Sequence, residues 1–121
     1  MKNDIFAELF NAWNRALQSG DPERVTELYA PDAVLVPTLS NQIRHNHAEI
    51  HDYFVHFLRK GPTGIVNESN TRTFDQLLIN SGIYTFAVGD GTSLQGRFTF
   101  VYRWNGERWR IIEHHSSLMP V

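Results

Sequence analysis

The stretch Leu94-Gln95-Gly96-Arg97-Phe98-Thr99-Phe100-Val101-Tyr102-Arg103-Trp104-Asn105-Gly106-Glu107-Arg108-Trp109-Arg110-Ile111-Ile112-Glu113-His114-His115-Ser116-Ser117 carries the reading of the fold. Phe98, Phe100, Tyr102 and Trp104 recur at every second residue, the period of a strand with one face buried. Arg97, Thr99, Val101 and Arg103 lie between them, so the second face is not purely polar either. Asn105-Gly106 is a tight-hairpin signal, and the chain folds back over Arg108 to Ser117. Pairing about that turn brings Tyr102 toward Trp109 and Arg97 toward the His115–Ser117 end. Neighbouring strand residues point to opposite faces, so His114 and His115 diverge, one into the fold and one out of it.

Upstream, Phe6, Leu9, Phe10, Trp13, Ala16 and Leu17 fall at helical spacing and give a single apolar stripe, which Gly20 ends. Asp21-Pro22 supplies an N-cap and a first-turn proline for a short second helix carrying Val25, Leu28 and Tyr29. Ala33 to Val36 reads as a short strand closed by Pro37, with a polar loop from Leu39 to Ile43. Asn46 and Glu49 have capping-box spacing and open a third helix. Its apolar face is Ile50, Tyr53, Phe54, Phe57 and Leu58, and Gly61-Pro62 stops it. Beyond Gly64 the texture becomes that of strands, with turn signals at Asn80-Ser81-Gly82 and Gly89-Asp90-Gly91 bounding a strand from Ile83 to Val88. Three helices followed by a meander give an α+β class, a cone in which three N-terminal helices pack on a curved antiparallel sheet. The mixed outer face calls for cover by another subunit.

The 121 residues suit one domain spanning 1–121. A hydrophobic content of 41% with 20% charged residues is that of an ordinary globule. A formal charge of -2 speaks against a nucleic-acid partner. The absence of cysteine excludes disulfides, thiolate metal sites and a cysteine nucleophile. The first residues run straight into the amphipathic pattern, with no signal-peptide features and no membrane-length run, so a cytoplasmic location is expected and no membrane partner.

The ordered set Ala16-Leu17-x-x-Gly20-Asp21, Leu28-Tyr29-Ala30-Pro31-Asp32-Ala33, Tyr53-Phe54, Arg97-Phe98-Thr99-Phe100-Val101-Tyr102 and His114-His115-Ser116-Ser117 resembles the nuclear transport factor 2-like, or SnoaL-like, superfamily. Within it the chain is most similar to bacterial stand-alone proteins related to the association (hub) domain of calcium/calmodulin-dependent protein kinase II. The resemblance implies a cone with its mouth between helices and sheet, and a homodimer or larger ring assembled through the convex sheet. It also implies a pocket, which in hub domains is lined by arginines that hold carboxylates. The matching positions here are Phe100 and Ser116, which carry no charge, with His115 retained before Ser116. The catalytic aspartate of the superfamily's steroid isomerases would fall at Val36-Pro37, and their oxyanion-stabilising tyrosine at about Trp13, so that chemistry is not expected in its usual form.

Two functions follow. The first is a self-assembling, association-domain-like protein with a small-ligand pocket contributed by Arg97, Tyr102, His115, Ser117, Trp13, Tyr53 and Arg44. The second is a SnoaL-like enzyme of isomerase, cyclase or hydrolase type acting on a small apolar substrate. In it His115 is the base, Glu113 the adjacent carboxylate, and Tyr102 or Trp13 the donor. In the alternative to both, Arg97 pairs with a carboxylate and His115 anchors an interface. No cofactor is expected, because the glycines near 89–96 sit in a hairpin and not at a strand-to-helix turn. His45, His47, His51 and His56 form a second cluster. His47 and His51 share a helix face, yet no third ligand has convincing spacing, so no metal is expected. Chelation of divalent ions should therefore leave the melting temperature unchanged. A drop of several degrees in a thermal melt with a chelator would assign that cluster a metal.

Overall fold

The computed structural model describes residues 5–120. In chain order the elements are α1 (Ile5–Gln18), α2 (Pro22–Thr26), β1 (Tyr29–Val36), α3 (His47–Phe57), β2 (Thr63–Phe74), β3 (Leu77–Ala87), β4 (Ser93–Trp104) and β5 (Trp109–Leu118). The five strands form one sheet in the order β1-β5-β4-β3-β2. None of the helices in the described residues is long and apolar enough to cross a membrane.

Local chemistry sets the helix ends. Asp21 caps α2 by accepting from the Glu23 amide at 3.0 Å, with Pro22 in the first turn. Asn46 caps α3 by accepting from the Glu49 amide at 3.0 Å. The return arm of that box lands one residue early, because Glu49 accepts from the His45 amide.

Three expectations are corrected. The sheet is mixed, since β1 runs parallel to β5 while the other three pairings are antiparallel. β1 enters from the helical layer and β5 from the Asn105-Gly106 hairpin, so the two meet in the same direction, and α3 comes after β1. Second, Tyr29 starts β1 and does not end α2, whose last residue is Thr26. Third, Asn80-Ser81-Gly82 is no turn. It lies mid-strand in β3, paired with both β2 and β4, and the hairpin turns instead at Asp75, which takes a positive φ of 52°. Gly82 is needed there because β2 has an extra residue at Asn67, which shifts its register and carries the Glu68 carbonyl over Gly82. A Cβ at Gly82 would overlap that carbonyl oxygen.

The core is aromatic. Phe6, Phe10 and Trp13 on α1 pack against Tyr84 and Phe86 of β3 and Phe98, Phe100 and Tyr102 of β4. From α3, Ile50, Phe54 and Phe57 close the same layer. Each such side chain contributes about 1.5–3 kcal/mol by leaving water, which explains why the period-two run of β4 dominates the sequence.

Gly82→Ala should destabilise the fold by about 1–3 kcal/mol, since backbone atoms and not a mobile side chain stand in the way. The check is a fall in the urea midpoint without a change in helix content by circular dichroism.

Candidate functional site

The inner face of β5 is set by one irregularity. Across the hairpin Trp104 faces Trp109, Arg103 faces Arg110 and Tyr102 faces Ile111. The next pair is Val101 with Glu113, so Ile112 is an extra residue that reverses the alternation. Directly paired residues share a face. Ile111 thus points inward with Tyr102, and His114 and Ser116 point inward with Phe100 and Phe98. Glu113, His115 and Ser117 point outward with Val101, Thr99 and Arg97.

His114 is buried, with its ring stacked on Phe100 at a centroid distance of 3.9 Å. Both of its nitrogens are engaged. Tyr29 Oη lies 2.8 Å from Nδ1 and Tyr84 Oη lies 3.3 Å from Nε2. The direction of these bonds follows from Trp13, whose Nε1–H can only donate and does so to Tyr29 Oη at 3.2 Å. Tyr29 is fully buried, so its own proton must go to the one acceptor beside it, His114 Nδ1. The imidazole then carries its proton on Nε2 and donates to Tyr84, which donates to Ser116 Oγ at 2.5 Å. Ser116 Oγ also accepts from Thr38 Oγ1 at 2.5 Å. A single file of hydrogen bonds therefore runs from the core out to Ser116, all in one sense.

Burial, with His115 next to it, drives the His114 pKa down to about 3, so the ring is neutral at physiological pH. Burial likewise raises Tyr29 and Tyr84 above the ordinary phenol range and pushes Tyr53 up to about 12. At neutral pH every member of the file is uncharged.

The file ends in a cleft between α3, the end of β1 and the ends of β4 and β5. Trp13, Tyr53, Phe54, Tyr84, His114 and Ser116 line it, with Thr38, further apolar side chains and no charged group among the described residues. Leu39 and Leu118, 45% and 51% exposed, stand among its lining residues at the solvent side. The cleft with its open mouth encloses about 470 Å³, but a water-sized sphere finds only about 30 Å³ inside. A water needs about 10–15 Å³ on that measure, so the interior admits about two waters or the head of a small molecule.

Of the residues expected at a pocket, Trp13 and Tyr53 line this one. Trp13 spends its N–H on Tyr29 and is not a free donor. The proposed base, His115, is exposed on the outer face, as are Glu113 and Arg97, and Ser117 lies there half-buried. Arg97, His115 and Ser117 do come together at this end of the sheet, but on the convex side. The extra residue at Ile112 is the reason. Tyr102 faces inward but is buried against Phe6 away from the cleft, and its hydroxyl has no partner among the described residues. Arg44 is committed elsewhere. It pairs with Asp52 at 2.9 Å, donates to the Gln42 and Glu49 carbonyls, and lies over the Tyr53 ring with 5.6 Å to the centroid.

His47 Nε2–H donates to the Tyr29 carbonyl at 2.7 Å, tying α3 to β1. No group of three His, Cys, Asp or Glu residues among those described is arranged to hold a metal. Sequence reasoning left open which of His114 and His115 faces inward, and it missed the roles of Ser116, Tyr84 and Thr38. One signal was present: strict alternation from Ile111 would carry Glu113 into the core, which is costly enough to demand a break in phase.

The family model of the calcium/calmodulin dependent protein kinase II association domain matches residues 2–120. The chain belongs to this association-domain family. A crystal structure of a candidate association domain from Xanthomonas campestris is 42% identical, covers 98% of this chain and 90% of its own, and superposes with a TM-score of 0.95. A nuclear transport factor 2-like protein of unknown function from Pseudomonas putida KT2440 is 17% identical, with coverage of 93% and 82% and a TM-score of 0.81. A candidate dehydratase of the same fold family from Streptomyces avermitilis is 13% identical, with coverage of 96% and 95% and a TM-score of 0.78. Both of the latter share the fold alone. No functionally curated protein matches.

In this association domain, neutral burial of His114 makes stability depend on pH. Its folded pKa lies below the unfolded value of about 6.5, so the unfolded chain binds the extra proton first. Stability is full above about pH 6.5 and is lost as pH falls toward 3, by up to about 1.4 kcal/mol per pH unit. Between pH 7 and 5.5 the urea midpoint should fall for the parent and fall less for His114→Gln.

Proposed function

We propose that the protein is a self-assembling association domain, located in the cytoplasm, that forms a homodimer or larger ring through the convex face of its sheet and holds a small ligand in its cone. The observation that carries the reading is the make-up of that face. Ile79, Val101 and Ile83 form a partly exposed apolar centre, and Ile65 and Phe74 farther out are 61% and 52% exposed. Around them Arg97 and Glu113 make no ion pair among the described residues, where the only pairs are Arg44–Asp52 and His45–Glu49. An apolar centre with an uncommitted charged surround is the anatomy of an interface. Membership of a family named for association supports the same reading.

The acid-base enzyme is the weaker reading. Its base, His115, faces away from the cleft, no carboxylate among the described residues lines the cleft, and both His114 nitrogens are occupied. The resemblance to a candidate dehydratase extends to the fold only.

Light scattering at micromolar concentration should give a dimer or larger, with well over about 1,000 Å² buried in the interface. Val101→Glu, which puts a charge at the centre of the face, should give a folded monomer with an unchanged circular dichroism spectrum. A monomeric parent removes the assembly reading.

A further inference from the structure

The hydrogen-bond file leaves something over at its outer end. Ser116 Oγ accepts twice, from Tyr84 and from Thr38, and no acceptor among the described residues meets its own proton. Were the Thr38–Ser116 bond reversed, the spare proton would sit on Thr38, which lines the same cleft. Either way the cleft presents one unused hydroxyl donor in a wall that is almost all carbon. The sense of the file makes this a property of the whole network. Trp13 can only donate, so each later member passes a proton outward. Truncating the file does not remove the donor. Ser116→Ala would merely hand that role to Tyr84.

We propose that the cleft binds a small neutral molecule through a hydrogen-bond acceptor, a carbonyl oxygen on a short alkyl chain, with the Ser116–Thr38 hydroxyl pair as donor and Leu39, Leu94 and Leu118 holding the chain. The inference rests on the pocket half of the proposed function. Charge excludes the alternatives. A carboxylate held inside would shed its water with no cation among the described lining residues. Arg44 is paired with Asp52, and Arg97 is on the opposite face of the sheet. Arg59 and Lys60 line neighbouring grooves that share Leu39 with the cleft, but not the cleft itself. An ammonium would find no anion. Size sets the division of labour: the interior admits a head of a few atoms, and the chain must lie along the apolar rim. A water molecule could accept the spare proton, but its own two protons would face mostly carbon.

The test is a ligand series titrated by saturation-transfer nuclear magnetic resonance, using 2-butanone, 2-hexanone and hexanoate. Affinity should rise roughly tenfold from 2-butanone to 2-hexanone as two methylenes reach the rim, and hexanoate should bind at least about tenfold more weakly than 2-hexanone. The carbonyl carbon of bound, labelled 2-hexanone should resonate downfield of its position in hexane, the mark of a donated hydrogen bond. Leu118→Glu, at an exposed rim position, should weaken 2-hexanone about tenfold without lowering the melting temperature. Equal binding of hexanoate, a carbonyl resonance at its hexane position, or no saturable ketone binding would each overturn the inference, the last leaving the interior to water. Light scattering on the same samples keeps the two readings apart. A monomer that binds the ketone removes only the assembly half, and an oligomer that ignores all three removes only the ligand.

Discussion

The inner face of this molecule is organised by a single extra residue in its last strand. Without Ile112 out of register, the hairpin would carry Glu113 under Phe100 and His115 under Phe98. A carboxylate in that aromatic layer would have no cation to meet it, and the stack of His114 on Phe100 would not exist. With the shift, a neutral ring and a small hydroxyl face the core and three polar groups face out. The bulge separates the two surfaces of β5 by chemistry, making one an interior and the other a contact face.

Burying an imidazole is costly unless both nitrogens are satisfied. Here they are, and the satisfaction is contributed by four different elements: Trp13 from α1, Tyr29 from β1, Tyr84 from β3 and Ser116 from β5. Such a file is specific in a way that apolar packing is not. A displaced helix or a slipped strand would leave a buried donor or acceptor unmatched, so the network favours one arrangement of the layers over near alternatives.

Much of the fold was legible in the chain. The aromatic period of β4, the Asn105-Gly106 turn, the caps at Asp21 and Asn46 and the stripe on α1 are local signals that tertiary structure did not override. The turn alone brought Arg97 to the His115–Ser117 end of β5, and the extra residue at Ile112 then set it opposite Ser117. What stayed hidden has physical causes. Parity after a bulge depends on which residue the sheet extrudes, and that is decided by the partner strand, so His114 and His115 could not be told apart by alternation. Asn80-Ser81-Gly82 has the composition of a turn, and only the approach of the Glu68 carbonyl explains a glycine in mid-strand. The direction of β1 rests on a pairing with a distant segment. The site was less legible than the fold, since its polar residues bond across elements far apart in sequence.

The placement of β5 between β1 and β4 also bears on how the chain is made. Tyr29 and His114 are 85 residues apart, and β1 has no strand partner until that distance has been synthesised. At about 5–20 residues per second, the first strand waits between about 4 and 17 s for the strand that pairs with it. Through that interval the nascent chain shows an unpaired first strand to the cell, and a ribosome stalled after β4 would leave a sheet edge open where β5 belongs. Holdase chaperones therefore have their natural window on this protein before its last strand emerges, and a translation pause in that stretch is more hazardous than one in the helices.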